Sequence, residues 1–139
     1  MTTASDLLNS YLMTVRSPDE AAALFAEDGA IELPYLASIG FPVRTEGPAA
    51  IAAFLKSLLE AIPDFQFQNI QLHIATPDQA FGEYDVEATI KATGRVYRQS
   101  YAGRLVAEKG KIKLLRESLD TVSAARAMLP GGLADLAAT

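Results

Sequence analysis

Apolar positions recur at helical spacing in three stretches before residue 63 and alternate or cluster at strand spacing after it. Leu7, Leu8, Tyr11, Leu12 and Val15 form one stripe, which predicts a first helix beginning at Thr3 or Ser5. Ser17-Pro18-Asp19-Glu20 predicts the start of a second: Ser17 as N-cap, Pro18 in the first turn and Glu20 closing a capping box, with the helix ending before Asp28-Gly29. Ala30-Ile31-Glu32-Leu33 reads as a short strand stopped by Pro34. The loop that follows, through Gly40 and Pro42, carries Tyr35, Leu36, Ile39 and Phe41. A connection this apolar is expected to fold over something rather than face water. Gly47-Pro48 opens the most regular stretch, with Ile51, Phe54, Leu55, Leu58, Leu59 and Ile62 on one side and Pro63 as its stop.

Beyond Pro63 the chain reads as four strands, with breaks at Thr76-Pro77-Asp78, Thr93-Gly94 and Lys109-Gly110. Turns this short join antiparallel neighbours, because a parallel pair needs a crossover of about a dozen residues. A short helical stretch over 123–129 follows, and Pro130-Gly131-Gly132 opens a tail expected to fray over 130–139. Helices first and a meander afterwards predict an α+β fold, as one domain over residues 1–139.

Strand alternation then sorts the side chains. With a two-residue turn at Lys109-Gly110, Tyr101 falls opposite Ser118, Gly103 opposite Arg116 and Gln99 opposite Asp120. With a turn at Thr93-Gly94, Tyr97 falls opposite Ile90 and Tyr101 opposite Val86. One face then holds Tyr84, Val86, Tyr97, Gln99, Tyr101, Arg116, Ser118 and Asp120; the other holds Glu83, Asp85, Glu87, Arg98, Arg104, Lys113 and Glu117. The first is apolar enough to lie under the helices, with polar groups gathered at one edge, the usual form of a small-molecule site.

Asp120 is the candidate proton carrier, since a carboxyl held in such a place has a raised pKa; its alternatives are to cap the following helix or to pair with Arg116. Arg116 itself is as readily a partner for a nearby carboxylate. His73 falls opposite Gly82 on the pocket face if the turn lies at Pro77-Asp78, and outside if the register slips by one. The opposite parity of Phe65 and Phe67 to Ile70, Leu72 and Ile74 predicts a bulge in that strand. Tyr11 points its hydroxyl into the cavity or is a core tyrosine with a bonded tip. Glu32 falls on the outer side.

Composition narrows the chemistry. Of 139 residues 50% are hydrophobic and 21% charged, the balance of a globular protein. With no Cys and one His, thiolate nucleophiles, disulfides, cysteine zinc sites and His-rich metal sites are excluded. No phosphate loop, dinucleotide glycine pattern or serine elbow occurs, so no metal and no cofactor is expected. A net charge of -5 argues against nucleic acid. Eight of the twelve basic residues nevertheless lie from Lys91 to Arg116, where they either pair with Glu83, Asp85 and Glu87 or draw in an anionic ligand. There is no basic leader with an apolar core and no run of about 18 apolar residues, which predicts a cytoplasmic chain with no membrane partner.

Several strings, in this order, resemble one family: Leu24-Phe25-Ala26-Glu27-Asp28-Gly29-Ala30; Glu46-Gly47-Pro48; Ile62-Pro63-Asp64-Phe65-Gln66-Phe67; Gly82-Glu83-Tyr84; Ala92-Thr93-Gly94-Arg95-Val96-Tyr97; and Gly110-Lys111-Ile112 leading to Arg116-Glu117-Ser118-Leu119-Asp120. Together they look like the SnoaL-like, ketosteroid-isomerase-like branch of the nuclear transport factor two-like superfamily, nearest in motif to its phenazine-biosynthesis A/B subgroup. The resemblance implies a cone-shaped barrel of curved antiparallel sheet covered by N-terminal helices, an internal pocket, homodimers formed through the outer sheet face, and cofactor-free isomerase, cyclase or dehydratase chemistry. Relatives that only bind ligands have the same fold, which leaves function to the site. Leu33 stands where ketosteroid isomerases carry their catalytic Asp, so the resemblance does not imply that activity. An acidic residue on the last strand acts in the cyclase-type relatives, and Asp120 or Glu117 falls there.

The expectation is thus a pocket for a small apolar or aromatic, even anionic, metabolite. Asp120 moves a proton and Tyr101, His73 or Tyr11 steadies an oxyanion. Leu33, Tyr35, Phe54, Tyr84, Val86, Tyr97, Gln99, Arg116 and Ser118 line it. The alternatives are a binding protein without catalysis and a scaffold whose pocket is filled by its own side chains.

Overall fold

The computed structural model describes residues 2–136. Helix α1 (Ala4–Thr14) starts with a full capping box: Thr3 Oγ1 accepts from the Asp6 amide at 3.2 Å, and Asp6 Oδ2 from the Thr3 amide at 3.0 Å. Its stripe of Leu7, Leu8, Tyr11 and Leu12 is buried. Helix α2 (Pro18–Ala22) is shorter than its sequence start suggests, and the Ser17 side chain makes no cap bond. The chain turns extended at Phe25 because strand β1 (Phe25–Glu32) runs against the last strand. Gly29 is needed there, since the Ile112 carbonyl occupies the place a Cβ would take. A 3-10 segment (Pro34–Ile39) and the short strand β2 (Arg44–Glu46) lead into helix α3 (Pro48–Ala61), entered through Gly47 at φ 88°. Ile51 and Leu55 of α3 are wholly buried, worth about 1.5–3 kcal/mol each.

Strands β3 (Gln68–Ala75), β4 (Gln79–Thr89), β5 (Val96–Glu108) and β6 (Lys111–Leu119) form the meander, followed by helix α4 (Thr121–Met128). The sheet order is β2-β1-β6-β5-β4-β3, an α+β arrangement as expected. It is mixed rather than purely antiparallel. β1 and β6 are parallel neighbours, which the intervening α3 and meander make possible. Residues Gly132–Leu136 form a closing 3-10 turn in which the Gly131 amide donates to Asp135 Oδ2 at 2.8 Å. Residues 137–139 of the tail lie outside the described residues. Among those described, no helix is long and apolar enough to cross a membrane.

Two register details decide which side chains face inward. Between β4 and β5, Tyr97 pairs with Ala88 and Tyr101 with Tyr84, two residues from the expected register, because the connection from Ile90 to Arg95 is longer than a two-residue turn. A shift of two keeps every side chain on its face. Between β5 and β6 the Lys109-Gly110 turn forms as expected, with both residues at positive φ. Then Ala107 pairs with Ile112 but Val106 with Leu114, so Lys113 is an extra residue, a bulge. From that point Gly103 pairs with Glu117 and Tyr101 with Leu119, and the parity of β6 is inverted. Leu115 and Glu117 are buried, while Arg116 turns to solvent.

Candidate functional site

Under the helices the inner sheet face bounds a cavity of about 240 Å³. The sheet supplies Ile31 from β1, Tyr97 and Tyr101 from β5 and Glu117 and Leu119 from β6. Tyr11 comes from α1, Phe54 and Leu58 from α3, Met128 from α4, and Phe65 and Phe67 from the segment before β3. Leu33, Leu36, Phe41, Pro42 and Val43 close it from the apolar 34–43 segment, and Thr45 completes the lining. That segment folds over the pocket, as its composition predicts. The cavity also argues against a core filled by its own side chains.

Glu117 is the only acidic or basic side chain among the lining residues, the tyrosine phenols aside, and is 4% exposed. Tyr84 donates to its Oε2 at 2.5 Å. The hydroxyl gets there because Tyr84, paired with Tyr101, leans across β5 over Gly103, the residue opposite Glu117; a Cβ on Gly103 would overlap that hydroxyl. Glu117 Oε1 accepts nothing from the described residues. Since no buried side-chain oxygen among them lacks a partner, Oε1 is the oxygen open to the cavity. Burial disfavours the charged carboxylate and pushes its pKa up to about 7, against the smaller opposite pull of the Tyr84 bond.

Tyr97 and Tyr101 share a hydrogen bond of 2.8 Å between hydroxyls, so one O–H of the pair remains to donate elsewhere. The Tyr11 hydroxyl is also near Glu117 and takes no protein partner among the described residues. Burial raises all of these phenols: Tyr97 to about 12, and Tyr11, Tyr84 and Tyr101 well above the usual tyrosine value. They therefore act as neutral donors. Phe67 holds the cluster, with ring centroids 5.0 Å from Tyr84, 5.2 Å from Phe65 and 5.6 Å from Tyr101, all edge-to-face.

Of the residues expected at the site, Tyr11, Tyr101, Tyr97, Leu33 and Phe54 line the cavity, and Tyr84 stands behind Glu117. The others lie elsewhere. Asp120 caps α4, accepting from the Val122 amide at 2.9 Å and the Ser123 amide at 3.1 Å, and those bonds, the one from Ser123 foremost, hold its pKa below the ordinary value. Gln99 is buried but spent on the backbone, bonding Asp120 N at 2.7 Å and Asp120 O at 2.8 Å; with Val86 and Ser123 it borders a separate polar groove. Arg116 bonds Glu32 at 2.8 Å on the outer face, and Ser118, opposite Ala102, shares that parity. His73 sits in a bulge, since Leu72 pairs with Gly82 and Ile74 with Phe81; it turns outward to Glu83 at 2.9 Å. Tyr35 is 55% exposed. Glu117, put on the outer face by a bulge-free register, is the residue brought in. Its signal in the sequence is the interior glycine of the longest strand, Gly103, which marks a close approach. Among the described residues no three His, Asp or Glu side chains converge to hold a metal ion.

The profile of the SnoaL-like domain matches residues 10–115. The chain belongs to the SnoaL-like domain family. Solved structures agree on the fold of this SnoaL-like protein. A provisionally named isomerase from Bacillus subtilis is 25% identical, with 93% of each chain covered and a TM-score of 0.79. A phenazine biosynthesis-related protein from Pseudomonas aeruginosa is 24% identical over 90% of this chain and 84% of its own, with a TM-score of 0.78. A provisionally named polyketide cyclase from Xanthomonas campestris is 22% identical over 85% and 90%, at 0.73. No curated relative matches at a significant level.

Proposed function

We propose that this SnoaL-like protein binds a small apolar carbonyl compound and moves a proton on it without a cofactor, as an isomerase, cyclase or lyase does. The observation that carries this reading is Glu117: a buried carboxyl at the cavity wall, half-ionised near neutrality, with one oxygen free. Glu117 takes a proton from the carbon beside the carbonyl; the C–H electron pair forms the C=C bond and the carbonyl π pair moves onto oxygen. Tyr11 and the free O–H of the Tyr97–Tyr101 pair donate to that oxygen. Returning the proton to another carbon isomerises the compound, and loss of a leaving group makes the step a lyase reaction. The isomerase and cyclase names among the fold neighbours are consistent with this.

In the same reading the protein is cytoplasmic and pairs with a second copy through the outer sheet face. The charges of both signs there, Glu83, Glu87, Arg98 and Arg104, suit a self-complementary contact. The deciding experiment follows deuterium uptake from heavy water at the carbon beside the carbonyl in a panel of small cyclic ketones. Exchange above buffer should rise with pH through 7, and Glu117→Gln should lower it by roughly a hundredfold or more. Equal exchange in Glu117→Gln, or none in the wild type with any ketone that binds, leaves a binding protein instead.

A further inference from the structure

The cavity has a charge pattern that proton transfer to a neutral compound does not require. Seven of its lining residues are aromatic, one is a carboxylate, and none is Lys, Arg or His. None of the basic residues concentrated between Lys91 and Arg116 lines it, and several are engaged elsewhere. Arg116 holds Glu32, Lys113 holds Asp28, Arg98 faces Glu87, and Arg95 binds the Leu129 and Pro130 carbonyls beyond α4. An anion entering the cavity would meet a buried carboxylate with no cation to offset it, which inverts the expectation of an anionic ligand.

The geometry points to a further ligand class for this cavity: compact quaternary ammonium ions, seated with the cationic head between the free oxygen of Glu117 and the surrounding aromatic rings. Two forces converge there. The carboxylate supplies the opposite charge at close range, and rings such as Tyr11, Phe67 and Tyr101 line the cavity with the kind of electron-rich, polarisable surface that holds such cations. A primary ammonium fits less well, because its three N–H groups each need an acceptor and, beside Glu117, the cavity side chains offer only hydroxyls, of which those of Tyr97 and Tyr101 already bond each other. A quaternary head has no N–H to leave unpaired. The proposal goes beyond the proton-transfer reading, since binding needs no turnover, and a cation on Glu117 would act as a competitive inhibitor of that step.

The groups facing Glu117 are Tyr11 from α1, Tyr84 from β4 and Tyr97 and Tyr101 from β5, all phenols that stay neutral through pH 9; no other titratable group lines the cavity. Coupling between cation binding and pH therefore runs through Glu117. The test is calorimetric titration of the full chain with choline and with its neutral isostere 3,3-dimethylbutan-1-ol, at pH 6 and pH 8. Choline should bind at least about tenfold more tightly than the alcohol at pH 8, and about tenfold more weakly at pH 6 than at pH 8 as the ionised fraction of Glu117 falls, while the alcohol changes little. Glu117→Gln should remove the preference and the pH dependence but keep alcohol binding; the wild-type comparison stands by itself if that variant does not fold. Equal affinity for the two compounds, choline binding without pH dependence, or no choline binding at millimolar concentration overturns the proposal. Choline binding with this profile and no ketone exchange would sink the proton-transfer reading alone; ketone exchange without it would sink this one alone.

Discussion

Replacing Glu117 with Gln removes a titration and little else, because the amide keeps the length of the side chain and an oxygen for the Tyr84 hydroxyl. In the folded protein the carboxyl titrates at about 7 instead of the ordinary 4.5. The folded state therefore holds its proton more tightly than the unfolded chain. Its contribution is fully present below pH 4.5 and is lost as pH rises to 7, after which the loss is constant. That interval corresponds to about 3 kcal/mol of lost stability in the wild type, since Glu117 is nearly free of solvent screening. Glu117→Gln should match the wild type near pH 4.5 and be more stable by about 3 kcal/mol at pH 8. Urea denaturation of both proteins at half-unit pH intervals reads the difference, and the surface carboxylates with depressed pKa values, Asp6, Asp28, Glu32 and Asp120, cancel because both proteins share them. A difference that is flat with pH, or one that grows toward acid, refutes the assignment of a desolvated carboxyl at this position.

Two further substitutions separate structure from site. Asp120→Ala should cost about 1 kcal/mol through loss of the α4 cap, measured by denaturant titration, while leaving ketone exchange within about twofold of wild type, because no cavity group is touched. Gly103→Ala should destabilise by about 1–3 kcal/mol and break the Tyr84–Glu117 bond, since the new methyl takes the place of the Tyr84 hydroxyl; carbon-labelled glutamate resonances should then show Glu117 titrating higher than in the wild type, where that bond pulls it down.

Most of the architecture is legible in local chemistry. Thr3, Pro18, Gly47-Pro48 and Pro63 mark helix ends through backbone constraints that depend on a few neighbours. The apolar 34–43 segment declares its covering role by composition. The β4–β5 face survives a wrong turn length because the error is even. The β6 face does not survive, because a single bulged residue is an odd error and exchanges Arg116 and Ser118 for Glu117 and Leu119. Alternation along Lys111–Leu119 does not reveal the bulge: Leu114 and Leu115 are adjacent and either can face inward. The pairing of β1 beside β6, which fixes Leu115 opposite Ile31, depends on contacts more than eighty residues apart. Asp120 attracted the catalytic assignment for the same reason that it caps a helix: it stands where a strand ends and a helix begins.

The position of Glu117 is itself an argument for use. As an ion it has one hydrogen bond, from Tyr84, and no counter-ion among the cavity residues. Gln would keep that bond without the charge, and Leu, which already occupies the neighbouring inward positions 115 and 119, would fill the same space as core. Either would spare the fold the stability it loses as pH rises from 4.5 to 7. The surrounding chain instead accommodates the carboxyl: Gly103 gives up its side chain so that Tyr84 can reach one oxygen, and the other is left open to the cavity. A group held at a stability cost, poised near neutrality and presented to a cavity among aromatic rings, is what a site that moves protons or holds a cation requires.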